Sequence, residues 1–114
     1  MGIEIQKQVL QREPELQEVV KRIADAYQPL RIYLFGSKAR GTADTESDYD
    51  LLVVVPDNAP PELRNSRLAH QKQWGVRVPV DVIVCTDEWF RSRATVITSL
   101  PATIIREGQL LYAA

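Results

Sequence analysis

The feature that most constrains this chain is an almost wholly apolar run from Tyr49 to Val55, which Pro56 ends. A run with so little polar alternation is typical of a central strand covered on both faces. Such a strand needs a packing layer on each side, so we expect an α/β (α+β) domain with helices flanking a small sheet. The chain has 114 residues, the usual length of one domain, so the prediction is a single domain over residues 1–114.

Helix and strand patterns alternate around this run. Strands are expected at 31–35 and 78–85, and helices at 62–74, after Thr86 and at 101–107. The segment 109–112 fits either a short edge strand or a docking tail. The loop after the first strand can reverse the chain, whereas a helical crossover makes the next two strands parallel, so the sheet should be mixed. The first helix has an apolar face at 3-4 spacing, formed by Leu16, Val19, Val20, Ile23, Ala24 and Tyr27.

Composition excludes several classes of site. The 14 basic and 15 acidic residues give a net charge of −1, so no global field holds a long nucleic acid, and any phosphate must be bound locally. One cysteine, Cys85, excludes an internal disulfide, and the single histidine, His70, leaves too few ligands for structural zinc. A metal here should therefore have oxygen ligands, as Mg²⁺ does.

The N-terminal residues lack a basic segment followed by an apolar one, and no apolar run approaches the roughly 20 residues of a membrane span. We therefore expect a soluble, cytoplasmic protein that does not associate with membranes.

A phosphate-binding turn is predicted where the first strand ends. Gly36 allows a ligand to approach closely, and Ser37 offers a hydroxyl donor. Lys38 and Arg40 add positive charge in the same turn. Together these residues suit a triphosphate. The alternatives are a simple strand terminator at Gly36-Ser37, and for Arg40 a brace to Asp44 or Asp48.

Three carboxylates are predicted to meet at the same edge of the sheet. Asp48 and Asp50 stand two residues apart at the start of the second strand, so both project from one face and can bind one or two Mg²⁺ ions. Asp81 interrupts an apolar strand, where a charge needs a partner. Because the second and third strands are expected to be parallel, Asp81 should lie beside the other two. The alternatives are turn-capping aspartates and a solvated edge charge.

These motifs resemble the nucleotidyltransferase superfamily that includes polymerase beta. Gly36-Ser37, followed after ten residues by Asp48-Tyr49-Asp50 with a later carboxylate in an apolar strand, is most similar to its minimal prokaryotic branch, over about residues 30–85. The resemblance implies a nucleotidyltransferase fold and the transfer of AMP from ATP to a hydroxyl. Asp48, Asp50 and Asp81 would be the catalytic residues that hold two Mg²⁺ ions, and Gly36, Ser37, Lys38 and Arg40 would bind the nucleotide.

The resemblance also implies a partner. Minimal nucleotidyltransferases commonly act beside a small helical HEPN-type toxin with an Arg-x4-6-His ribonuclease motif, and neutralise it by attaching AMP to a tyrosine. We therefore expect a protein adenylyltransferase antitoxin in a hetero-oligomer with such a toxin. Two alternatives stay open: a non-catalytic antitoxin that sequesters its toxin, and a nucleotidyltransferase acting on a small molecule or an RNA 3′ end.

The remaining polar and aromatic residues have no assigned chemistry. His70 is interpreted as a polar helix residue and Cys85 as a small core residue. The larger aromatic residues are expected to be core or partner contacts rather than base-stacking platforms: Tyr33, Tyr49, Trp74 and Trp89. Tyr49 should face away from the two aspartates that flank it.

Overall fold

The computed structural model describes residues 13–41 and 48–114, except the side chain of Arg40. The described elements are α1 (Pro14–Tyr27), β1 (Arg31–Phe35), α2 (Ser37–Arg40), β2 (Tyr49–Val55), a 3₁₀ turn (Pro61–Leu63), α3 (Arg67–Gln71), β3 (Val80–Thr86), α4 (Asp87–Ala94), α5 (Leu100–Glu107) and β4 (Gln109–Ala113).

The four described strands form one mixed sheet in the order β3-β2-β1-β4. β1 is antiparallel to β2 and to β4, while β2 and β3 are parallel. The predicted single α/β domain with a small mixed sheet is confirmed. The structure also decides between the two interpretations of the C-terminal segment, because Gln109–Ala113 is an edge strand on β1.

Both faces of the sheet are covered, as the apolar run at β2 predicts. On one face, alternate residues of β2 pack with α1 and with Ala69 of α3. On the other face, Leu52 and Val54 pack with Phe90 of α4 and Ile104 of α5. Asp50 belongs to the second face, because it alternates with the buried Tyr49 and Leu51.

The continuous helix predicted at 62–74 is wrong. The segment forms a 3₁₀ turn and then one short helix that ends at Gln71. The hydroxyl of Tyr27 lies between two backbone groups that a continuous helix would join: it donates to the Asn65 carbonyl at 2.7 Å and accepts from the Ala69 N–H at 2.9 Å. A side chain inserted into the i→i−4 ladder breaks a helix at that point.

Replacing Tyr27 with phenylalanine is expected to lower the free energy of unfolding by about 1–3 kcal/mol, because the buried Ala69 N–H and the part-buried Asn65 carbonyl lose their partner. Urea denaturation measures the change, with Tyr112→Phe as a control, because Tyr112 is a half-buried tyrosine of the edge strand. Equal stabilities for Tyr27→Phe and the wild type would show that the segment re-forms its own helical hydrogen bond.

The other boundaries follow local chemistry. β3 begins at Val80 rather than at Val78, after Pro79, which has no N–H for the strand ladder. The predicted cap at Thr86 is confirmed, since its hydroxyl accepts from the Trp89 N–H at 3.2 Å and α4 follows. Within the described residues, no helix is both long enough and apolar enough to cross a membrane.

Candidate active site

The predicted carboxylates lie at one edge of the sheet. Phe35, the last residue of β1, pairs with Asp50, and Asp50 pairs with Asp81 of β3. The three residues form one row across three strands, with neighbouring strands about 4.8 Å apart. Asp50 is half-buried and Asp81 is exposed. Residues 31 positions apart are thus side by side because β2 and β3 are parallel and start at the same edge.

Asp50 is the predicted ligand whose pKa depends on the other two carboxylates. Its pKa is raised by burial first, and then by the negative charges of Asp81 and Asp48. Repulsion of this kind requires that Asp81 and Asp48 each lie within interaction range of Asp50. The site therefore concentrates negative charge at a partly desolvated position.

The donor set suits a hard divalent cation. All three side chains offer carboxylate oxygens, the ligands that Mg²⁺ prefers, and a cation would offset the repulsion that raises the pKa of Asp50. In residues 13–41 and 48–114, no group of three or more acidic, histidine or cysteine side chains is already arranged as a metal centre. The carboxylates therefore fit a cation by chemistry, and side-chain adjustment would be needed to bring all three onto one ion.

Gly36 is pressed against Asp50. Its backbone has φ +79° and ψ −160°, a conformation that is essentially limited to glycine. A Cβ at this position would overlap the Oδ2 atom of Asp50. The glycine is thus required both by its backbone angles and by the lack of space beside the carboxylate.

The predicted phosphate turn follows directly. Ser37 is the first residue of α2, next to Gly36 and therefore close to the row of carboxylates. Gly41 ends α2 in the left-handed conformation. The side chain of Arg40, and Asp44 as its predicted partner, lie outside the described residues, so the predicted role of Arg40 stays a prediction.

The side chain of Lys38, a predicted nucleotide-binding residue, points to the other face of the sheet. Its Nζ lies 4.6 Å from the centre of the Tyr49 ring, and Tyr49 faces away from Asp50 as expected. The Lys38 side chain lines a cavity of about 290 Å³. The other residues that line this cavity are Glu13, Glu15, Tyr49, Arg77, Val78 and Pro79. The structure therefore places the Lys38 ammonium group on the α1 side of β2, on the face opposite to Asp50.

Replacing Lys38 with methionine is expected to lower the free energy of unfolding by about 0.5–1 kcal/mol, since the cation–π contact with Tyr49 is lost. Lys38→Arg is the matched control, because a guanidinium can make the same contact. Chemical denaturation of both variants measures the difference. A methionine variant as stable as the wild type would mean that the contact does not stabilise the fold.

Sequence reasoning missed the polar partners on this face. The Tyr49 hydroxyl bonds to Glu13, and burial first, then this carboxylate, raise the pKa of Tyr49 to about 12. The Arg77 N–H donates to Glu15 at 2.8 Å. Glu13 and Glu15 read as ordinary helix-start residues, so no signal in the sequence marks them as neighbours of the phosphate turn.

The comparisons with known proteins agree with this geometry. The family model described as "Nucleotidyltransferase domain" matches residues 16–111. None of the curated proteins matches the chain.

Three solved structures are similar in fold. A candidate nucleotidyltransferase from Sulfolobus solfataricus is 23% identical with a TM-score of 0.59, covering 88% of this chain and 78% of that one. A toxin-antitoxin complex with AMP-PNP is 26% identical with a TM-score of 0.55, covering 84% and 72%. A mutant of the toxin-antitoxin pair MntA-HpeT is 24% identical with a TM-score of 0.55, covering 88% and 73%.

Proposed function

This chain belongs to the nucleotidyltransferase domain family, and we propose that it transfers AMP from ATP to a tyrosine hydroxyl of a partner toxin, as a protein adenylyltransferase antitoxin. The observation that carries this proposal is the row in which Asp50 pairs with Asp81 while Gly36 contacts the Asp50 carboxylate. A close-packed glycine turn beside paired carboxylates is what a triphosphate and its cations need.

Asp48, Asp50 and Asp81 are the proposed ligands of two Mg²⁺ ions. When bound, the ions would lower the pKa of the acceptor hydroxyl and neutralise charge on the phosphates. The carboxylates would hold the reacting groups in line, which lowers the entropic part of the barrier. The exposed position of Asp81 at the edge strand suits an acceptor that approaches from solvent.

The reaction is a single displacement at the α-phosphorus. The hydroxyl oxygen forms the new bond to phosphorus, the bond to the bridging oxygen breaks, pyrophosphate leaves and the hydroxyl proton passes to solvent or base. Gly36 and Ser37 are proposed to bind the β- and γ-phosphates at the start of α2, and Arg40 to add charge there. Lys38 would have to leave the Tyr49 ring to reach the same phosphates.

The partner is proposed from two sources. The sequence motifs resemble minimal nucleotidyltransferases that act beside a helical HEPN-type toxin, and one similar structure is a toxin-antitoxin complex with AMP-PNP.

The test is incubation of the purified chain with Mg²⁺, labelled ATP and the helical protein encoded beside it, followed by intact mass spectrometry. We expect the partner to gain the mass of one or more AMP groups on tyrosine, and to lose ribonuclease activity. EDTA should abolish the mass gain, while GTP, CTP and UTP in place of ATP show the base preference.

Other outcomes identify the alternatives. A partner that is inactivated without any mass gain, equally by the wild type and by an Asp48→Asn, Asp50→Asn double variant, would replace catalysis with sequestration. Label on a small molecule or on an RNA 3′ end, with none on protein, would replace the acceptor class but keep the transfer.

A further inference from the structure

We propose that residues 67–77, here called the Trp74 segment, are the docking surface for an acidic face of the acceptor protein. The acceptor role of that protein rests on the proposed function. The docking surface itself rests on three observations: an exposed tryptophan with a fixed backbone, a local excess of basic residues, and direct continuity with the strand that carries Asp81.

Trp74 is presented to solvent on a backbone held by α1. The side chain is 87% exposed, against the sequence-based alternative of a core position. Arg22 of α1 donates to the carbonyls of both Lys72, at 3.0 Å, and Trp74, at 2.9 Å. Gly75 follows with φ +81°. An exposed, pre-positioned indole is the kind of side chain that carries binding energy at protein interfaces.

The Trp74 segment contains basic residues and no acidic ones. Between Leu63 and Val80 the sequence contains no aspartate or glutamate, although the whole chain has a net charge of −1. The exposed cationic or titratable residues are Arg67, His70, Lys72 and Arg77. Of the nearby acids, Glu18 pairs with Arg22 at 2.9 Å and Glu15 accepts the Arg77 N–H. Glu62 and Glu13 adjoin only the two ends of the segment, beside Arg67 and Arg77. Charge complementarity therefore selects an acidic partner surface.

The Trp74 segment is followed in the chain by β3, the strand that carries Asp81. Residues 78 and 79 join it to β3, and the Pro79 carbonyl accepts the Tyr49 N–H at 2.9 Å, which ties this connection to the start of β2. Asp81 follows two residues later and pairs with Asp50. A protein bound to Trp74 would therefore lie against the connection that leads into Asp81, on the α1 face of the sheet.

A protein fits these features better than a single-stranded RNA. RNA-binding surfaces stack successive bases on several aromatic side chains along a basic groove. The Trp74 segment has one aromatic residue, and it projects rather than lining a groove. One projecting indole with basic neighbours matches an anchor that enters a pocket on an acidic protein.

The experiment places a photo-cross-linking amino acid, benzoylphenylalanine, at position 74 of the tagged full chain expressed in its own host. The cross-linked species is identified by mass spectrometry, and the captured protein is then purified for affinity measurements. Trp74→Ala and the double variant Lys72→Glu, Arg77→Glu are compared with controls on the α4–α5 layer: Ile97→Ala, which removes an apolar side chain that is 75% exposed, and the double variant Arg93→Glu, Arg106→Glu.

We expect one identified protein with an acidic surface, an affinity at least tenfold weaker for Trp74→Ala and for the charge reversal, little change for the controls, and weaker binding at high salt. A cross-link to RNA or to a second copy of the chain would overturn the inference. So would Trp74-dependent binding of a 12-nucleotide oligoadenylate, or an affinity that none of the segment variants changes.

The two proposals can fail separately. If the captured protein binds through Trp74 but gains no AMP, the docking surface stands and the proposed function fails. If the protein is adenylylated equally by the wild type and Trp74→Ala at limiting concentration, the proposed function stands and the docking surface fails.

Discussion

Asp50→Asn is expected to abolish nucleotidyl transfer, by about 10³-fold or more, while the folded protein stays at least as stable as the wild type. The loss in rate corresponds to about 4 kcal/mol of transition-state stabilisation, the scale of a metal-held phosphoryl group. Asp50 interacts with both other predicted ligands, since the charges of Asp81 and Asp48 act on its carboxyl group, so its replacement affects the whole set.

The same substitution is not expected to lower stability, and the reason is the pKa of Asp50. Burial first, and then the charges of Asp81 and Asp48, raise this pKa. A raised pKa means that the ionised carboxylate is less favourable in the folded protein than in the unfolded chain. At neutral pH this opposes folding, and asparagine removes the penalty. The stability difference between variant and wild type should therefore disappear as the pH falls below about 4, where the unfolded carboxyl is also protonated.

Thermal denaturation at several pH values and intact-mass assays with labelled ATP measure the two effects. Asp25→Asn is the matched control, because Asp25 is an exposed residue of α1, which packs on the face of the sheet opposite to Asp50. An Asp50→Asn protein that transfers AMP at the rate of the wild type would refute the proposed role of this residue. A variant that unfolds at lower temperature would show that the carboxylate stabilises the site instead.

The arrangement of the site could be predicted because it depends on strand order and side-chain period alone. An apolar run fixes β2 as a central strand, and a connection through a helix makes β3 its parallel neighbour. Once those two strands start at the same edge, Asp50 and Asp81 must be neighbours. The period of two then separates Tyr49 from the aspartates on either side of it.

The errors arise where a single distant side chain decides local structure. The helix predicted at 62–74 is interrupted by the hydroxyl of Tyr27, which is far away in the sequence. Trp74 lies beyond the end of α3 at Gln71, where Arg22 binds the carbonyls of Lys72 and Trp74. The direction of Lys38 has a similar cause: a four-residue helix has no apolar face that fixes its rotation, so the Tyr49 ring decides where the ammonium group lies.

Gly36 carries a constraint that the sequence could only suggest. A glycine before a basic turn is typical of many strand ends, and the pattern does not show whether a methyl group would be tolerated. The structure supplies two separate reasons against one. The backbone angles are in a region limited to glycine, and the Oδ2 atom of Asp50 occupies the space of a Cβ.

Gly36→Ala is therefore expected to lower the free energy of unfolding by at least about 2 kcal/mol and to reduce transfer strongly, because relief of the overlap moves the Asp50 carboxylate. Gly41→Ala is the matched control. Gly41 also has a positive φ, +76°, but no atom of the described residues lies within 4 Å of its Cβ position. The Gly41→Ala substitution should therefore cost about 1 kcal/mol. Urea denaturation and the AMP-transfer assay measure both variants.

A double-mutant cycle separates the strain of the Gly36 backbone angles from the overlap with the Asp50 carboxylate. If the overlap with Asp50 matters, Gly36→Ala should destabilise an Asp50→Ala background by about 1 kcal/mol less than it destabilises the wild type, because the colliding oxygen is gone. The strain of the backbone angles remains in both backgrounds. Equal destabilisation in the two backgrounds would assign the whole effect to φ and ψ, and would mean that the carboxylate can move aside without loss. A carboxylate that has moved aside has still left its position, so transfer should fall in Gly36→Ala even then, and the transfer assay tests whether Gly36 positions Asp50 independently of the cycle.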